Sequence, residues 1–271
     1  MTRPWQTLAS ADTPEGRLEL RRRGEHELVI TIGGRVLMNG AAHRSESALA
    51  ELACRTIARR PRPRVLLGGL GLGYTLRAAL DALPRQASVT VAEIEPVIVE
   101  WCRGPLAELA GGAIADPRVA IEIGDVAAAI ARAATTGAAG ATGAADATAP
   151  GAFDAILLDL YEGPRTPAQG RDDPLYGRAA LARTRAALRP GGVLAVWSED
   201  PDAAFEARLT AAGFAWERHR PGRGGARHAV YLASRSSAAV DPASRVNAAL
   251  RQTSRAGRGR PARRRPRPGP T

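Results

Sequence analysis

Val65-Leu-Leu-Gly68-Gly69-Leu70-Gly71-Leu72-Gly73 decides the fold. A short apolar run breaks into glycines and opens onto a helix predicted over Thr75–Leu83. Glycine at such a turn lets backbone approach a ligand, and the helix that follows offers free N–H groups. The spacing is GxGxG, whereas a pyrophosphate-binding fingerprint requires GxGxxG. A tight strand–helix turn with no ligand also uses glycine, so the rest of the chain must supply the context.

That context is a repeated strand–helix alternation. Ser88–Ala92 reads as a second strand with a helix around Pro96–Cys102. Arg118–Glu122 is the third, with a helix from Asp125. Phe153–Leu158 is the fourth, with a helix over Leu175–Leu188. Pro190-Gly191-Gly192 is expected to stop that helix before a fifth strand, Val193–Trp197. Asp200 is read as the cap of a further helix with Pro201 at its first position. Phe214–Glu217 and Ala229–Leu232 close the set as an antiparallel pair. Apolar strands alternating with helices imply a mostly parallel, doubly wound α/β sheet covered on both faces.

Upstream, Leu18 and Leu20, Leu28–Ile32 and Arg35–Met38 read as short strands, with Gly33-Gly34 as a hairpin turn. This small antiparallel β unit occupies residues 1–44 together with an N-terminal tail. Ser45–Arg60 has Leu49, Leu52, Ala53 and Ile57 on one helical face, and Pro61 and Pro63 end it. Residues 45–235 then form the main domain. Residues 133–151, almost entirely Ala, Gly and Thr, are expected to be a flexible insertion. Residues 236–271 are expected to be a disordered Arg/Pro-rich tail.

The chain has 271 residues and a net charge of +11. Its basic side chains are all Arg. Eight of them lie in residues 251–271, which contain no acid, so residues 1–250 carry only +3. The basic character therefore belongs to the tail. Such a tail can contact nucleic-acid phosphates by counterion release, though it lacks interleaved aromatics for base stacking. Two Cys far apart exclude a disulfide framework. His26, His43, His219 and His228 are scattered without ligand spacing, so no metal is expected. No apolar leader or run of ~20 apolar residues is evident, and a cytoplasmic protein with no membrane contact is expected.

Three acids stand at the ends of adjacent strands, where open α/β sheets bind ligands. Glu93 can accept two hydrogen bonds from ribose hydroxyls, and Glu95 could serve equally. Asp125 can accept from an adenine amino group or cap its helix. Asp159 would sit over the reacting end of the ligand, where a carboxylate attracts an ammonium group and takes its proton. Glu162 can share that work. Tyr161 and Tyr176 flank the same loop as candidate acceptor contacts, and Trp197 ends the fifth strand beside it.

Val65–Arg77, Val91–Glu95, Arg118–Asp125, Phe153–Pro164 and Leu175-Tyr176 through Gly191–Leu194 together resemble the spermidine synthase family, most closely its bacterial spermidine-synthase-like members. The resemblance implies a Rossmann-like methyltransferase-type fold. It also implies transfer of an aminopropyl group from decarboxylated S-adenosylmethionine to a small-molecule amine of the polyamine type. It places the donor at Gly69, Gly71, Gly73, Glu93 and Asp125, and catalysis at Asp159 and Glu162. A homodimer is common in the family. The sequence departs from the family at Leu72, where an Asp normally holds the amine of the aminopropyl arm. It departs again at Arg44–Ser47, which lacks the family's diamine-holding pattern. Two alternatives follow: an S-adenosylmethionine-dependent methyltransferase in the same pocket, or a non-catalytic adenosyl- or nucleic-acid-binding protein.

Overall fold

The computed structural model describes residues 3–24, 27–41, 43–139, 153–161, 163–165, 173–221 and 228–235. All of these lie in one compact unit, Met1–Ser237. Most of the expected insertion, from residue 140, and the tail from residue 236 fall outside the described residues, as does Glu162.

The N-terminal unit is a four-stranded antiparallel sheet in the order β1 (Gln6–Thr13), β2 (Gly16–Arg23), β3 (Glu27–Ile32), β4 (Arg35–Asn39). Gly33 and Gly34 form the two-residue turn between β3 and β4 with φ of 53° and 82°, and Ile32 pairs with Arg35 across it. This is the left-handed conformation that a tight hairpin demands. Strand β1 was not expected. It is a half-exposed edge strand whose apolar side chains are mostly small, so its sequence reads as a tail.

Helix α1 (Arg44–Ile57) leads into a seven-stranded sheet with the order β10-β11-β9-β8-β5-β6-β7. Its strands are β5 (Arg64–Gly68), β6 (Ser88–Glu93), β7 (Val119–Ile123), β8 (Phe153–Leu158), β9 (Leu188–Ser198), β10 (Ala215–His219) and β11 (Ala229–Ser234). Strands β9-β8-β5-β6-β7 are mutually parallel, and β11 runs antiparallel to both β9 and β10. The remaining helices are α2 (Tyr74–Ala82), α3 (Pro96–Arg103), α4 (Val126–Ala139), α5 (Arg178–Ala187) and α6 (Ala203–Ala211).

The two-residue period of the strands sorts the core into two layers. Val65, Leu67, Val89, Val91, Ala155 and Leu157 face a cluster with α1, α2 and α3, and this cluster also takes Leu18, Leu20 and Ile30 of the N-terminal sheet. Leu66, Ile156, Leu158, Leu194 and Val196 face the opposite cluster with α4, α5 and α6. Asp154 enters β8 at the far end from the glycine turn and is 1% exposed. It accepts from Arg60 Nη1 (2.6 Å), Arg189 Nη1 (3.2 Å) and the Arg64 N–H (2.8 Å). A buried carboxylate so paired ties α1, β5, β8 and β9 together.

Three local expectations are corrected. Helix α4 continues to Ala139, into the stretch expected to be a flexible insertion, because alanine has the highest helix propensity. Pro190–Gly192 do not separate helix from strand; they lie within β9, which starts at Leu188. Asp202, not Asp200, caps α6, its carboxylate accepting from the Phe205 N–H at 2.9 Å.

Candidate functional site

The glycine turn after β5 is held from β6. The Leu70 N–H donates to Glu93 Oε2 at 2.8 Å, and the Glu95 N–H donates to Glu93 Oε1 at 2.9 Å. Glu93 is 7% exposed. Each of its oxygens keeps a further lone pair, so the carboxylate is fixed and still able to accept from a diol. Glu95, the alternative, is only half-buried. Burial raises its carboxyl pKa above the ordinary value, with the Glu93 and Glu15 charges adding to the rise.

Gly69 and Gly71 are required by contact as well as conformation. Gly69 has φ of 86°, and a Cβ there would meet the Asp159 carbonyl oxygen at 2.5 Å. Gly71 has φ of 51°, and a Cβ there would overlap the thioether of Met38 from β4. Gly73 is the N-cap of α2. Leu72 is 3% exposed and belongs to the apolar cluster against which Met38 packs.

Asp125 is exposed, and its Oδ1 accepts from the Ala127 N–H at 2.8 Å, so it caps α4. Its second oxygen remains available to a ligand. Beside it stand two large apolar side chains that sequence reasoning passed over. Ile94 is 64% exposed and Ile123 is 51% exposed. Ile123 pairs with Glu93 at the end of the β6–β7 ladder, and Ile94 is the next residue after Glu93. Exposed isoleucines at adjacent strand ends, flanked by two carboxylates, suit the faces of a flat, apolar, hydrogen-bonding ring.

Asp159 follows β8 and is half-buried, with its backbone N–H donating to the Gly68 carbonyl at 3.1 Å. The Thr75 hydroxyl donates to its Oδ2. Burial pushes the Asp159 carboxyl up to about 7; the Thr75 hydrogen bond opposes this, and the Glu46 charge adds to it. Thr75 and Glu46 were not singled out from the sequence. Tyr176 is 2% exposed, and its hydroxyl has no hydrogen-bond partner among the described residues. Burial raises the pKa of that hydroxyl, with Asp173 and then Asp159 adding. Tyr161 instead sits at the rim, 44% exposed, with the Arg35 guanidinium 5.0 Å from its ring centre.

The Trp197 indole N–H is buried and has no hydrogen-bond partner among the described residues. Its ring meets His228 edge-on, with centroids 4.9 Å apart. His228 Nδ1 lies 3.0 Å from the Ser45 hydroxyl, which donates to Glu46 Oε2 at 2.7 Å. Among the described residues, no group of three or more His, Cys, Asp and Glu is arranged to hold a metal ion. Nor is any helix among them long and apolar enough to cross a membrane.

No protein-family model matches the chain. The polyamine aminopropyltransferase of Mycobacterium tuberculosis (strain CDC 1551 / Oshkosh) is 29% identical over 188 residues, 67% of this chain and 32% of that protein. The chain spans about a third of the length of the curated relatives it matches. Spermidine synthase from Thermotoga maritima superposes with a TM-score of 0.63 at 18% identity, covering 88% of this chain and 77% of that one. Human methyltransferase-like protein 13, solved in complex with SAH, gives a TM-score of 0.52 at 19% identity, covering 80% and 95%. At these identities the structural likeness is one of fold. The chain thus has the Rossmann-like fold seen in spermidine synthases and in methyltransferase-like protein 13, and its sequence is similar to polyamine aminopropyltransferases over two thirds of its length.

Proposed function

We propose that this protein is a transferase that moves an aminopropyl group from decarboxylated S-adenosylmethionine to a polyamine-type amine. The observation that carries the reading is the row of carboxylates at the ends of β6, β7 and β8, with Glu93 buried and pinned to the glycine turn. The residues fit an adenosyl donor: Glu93 for the ribose hydroxyls, Asp125 for the ring amino group, and Ile94 and Ile123 for the ring faces. Asp159 attracts the acceptor's ammonium group and takes its proton, which leaves the nitrogen lone pair free to attack. A carboxyl titrating at about 7 is suited to that exchange near neutral pH. The similarity to polyamine aminopropyltransferases supports the reaction class. Both cysteines are free and buried, in keeping with a cytoplasmic setting.

One observation favours a second reading, methyl transfer from intact S-adenosylmethionine in the same pocket. Leu72 is buried among apolar side chains and offers an aminopropyl ammonium group no partner. Mass spectrometry separates the two. With decarboxylated S-adenosylmethionine and 1,4-diaminobutane, the proposal expects an aminopropylated amine and the thioether nucleoside. Methylated amine from intact S-adenosylmethionine alone would replace it with the second reading.

A further inference from the structure

Ser45 is the second residue of α1 and is 4% exposed, and its single hydroxyl proton goes to Glu46 Oε2 at 2.7 Å. The same oxygen lies 3.0 Å from His228 Nδ1, so it meets the imidazole as an acceptor. Nδ1 therefore carries the proton, and Nε2 is left with its lone pair. Among the described residues Nε2 has no hydrogen-bond partner, yet it is not among the unpartnered polar atoms sealed from solvent. A carboxylate, a hydroxyl and an imidazole in this order fix a tautomer and a ring orientation. The imidazole also packs against Trp197, the next-to-last residue of β9, the strand beside β8, which Asp159 follows.

We infer that His228 is a second proton acceptor in this site, with Ser45 and Glu46 as its positioning residues. The role rests on the transfer reaction proposed above. Asp159 binds the acceptor's ammonium group, already engaged as it is with the Thr75 hydroxyl. The proton that Asp159 takes from that group passes on to His228 Nε2, giving imidazolium. The freed nitrogen pair forms the new C–N bond while the C–S bond of the sulfonium breaks and leaves its pair on sulfur. The product is an ammonium ion and a neutral thioether, and imidazolium returns its proton to water. The charged groups at the C-terminal strand ends and the start of α1 include, among the described residues, Arg44 and Glu46 on α1, Glu93 and Glu95 at β6, Asp125 after β7, Asp159 after β8, and Glu199 and Asp200 after β9.

The test has a part that needs no turnover. Nitrogen-15 NMR of the full chain at pH 7.5, with the signal assigned by its loss in His228→Asn, should show the Nδ1–H tautomer. That preference should disappear in Ser45→Ala. Turnover of decarboxylated S-adenosylmethionine with 1,4-diaminobutane should then fall by on the order of 100-fold in His228→Asn, which keeps a donor for Ser45 but no base. Donor affinity should be unchanged, and added imidazole should restore part of the rate to His228→Gly. An Nε2–H imidazole, or undiminished turnover in His228→Asn, would overturn the inference alone. Failure of the donor to bind the wild-type chain would overturn the transferase reading and this role with it.

Discussion

Replacing Asp159 with Asn should stabilise the protein above neutral pH while removing transfer. The folded carboxyl titrates at about 7 against an ordinary 3.8, chiefly because it is buried. The folded chain therefore holds more protons than the unfolded chain between those values. The carboxyl's contribution to stability is complete below its unfolded pKa. It is lost as pH rises toward 7, and above 7 the loss levels off. A displacement of about three pH units corresponds to roughly 4 kcal/mol. Asn is neutral throughout, and its Oδ1 still accepts from the Thr75 hydroxyl. In urea melts, Asp159→Asn should match the wild type near pH 4 and exceed it by up to roughly 4 kcal/mol at pH 8. An equal stability difference at both pH values would refute the reasoning, since it would mean that no buried charge is being relieved.

Asp154→Ala should cost about 3–5 kcal/mol in a denaturant melt, because Arg60, Arg189 and the Arg64 N–H lose a shared buried partner; a loss under 1 kcal/mol would show the network to be dispensable. Gly71→Ala should cost about 1–2 kcal/mol for its left-handed backbone and more for displacing Met38. Adding Met38→Ala should recover only the second part, and full recovery would remove the backbone argument. Burial pushes the thiols of Cys54 and Cys102 up to about 12. Both should therefore resist a thiol reagent at pH 8 until the protein unfolds, and rapid labelling of the native chain would contradict their burial.

The sheet was legible because its strands are apolar runs punctuated by glycine and proline, and each helix carries a distinct apolar face. Strand β1 was not legible. Thr7, Ala9 and Ala11 alternate too weakly to announce an edge strand. Ala133–Ala139 read as a linker because low complexity and high helix propensity look alike when the residue is alanine. Asp200 and Asp202 both offer a cap, and only the backbone path shows which carboxylate reaches Phe205. In the site, Glu93, Asp125 and Asp159 were legible because strand ends are marked in the sequence. The partners that tune them were not. Thr75 reaches Asp159 across 84 residues, and Ser45 reaches His228 across 183, so no local spacing encodes either contact. Ile94 and Ile123 read as ordinary strand apolars, and only their exposure marks them out.

Calorimetric titration of decarboxylated and intact S-adenosylmethionine, side by side, into the wild type and Glu93→Ala tests the central claim most directly. The expected result is binding to the wild type with preference for the decarboxylated donor. Affinity should fall by roughly 10- to 100-fold when the Glu93 carboxylate is removed. Absence of binding by either donor, or equal affinity in the two proteins, would contradict an adenosyl pocket built on Glu93.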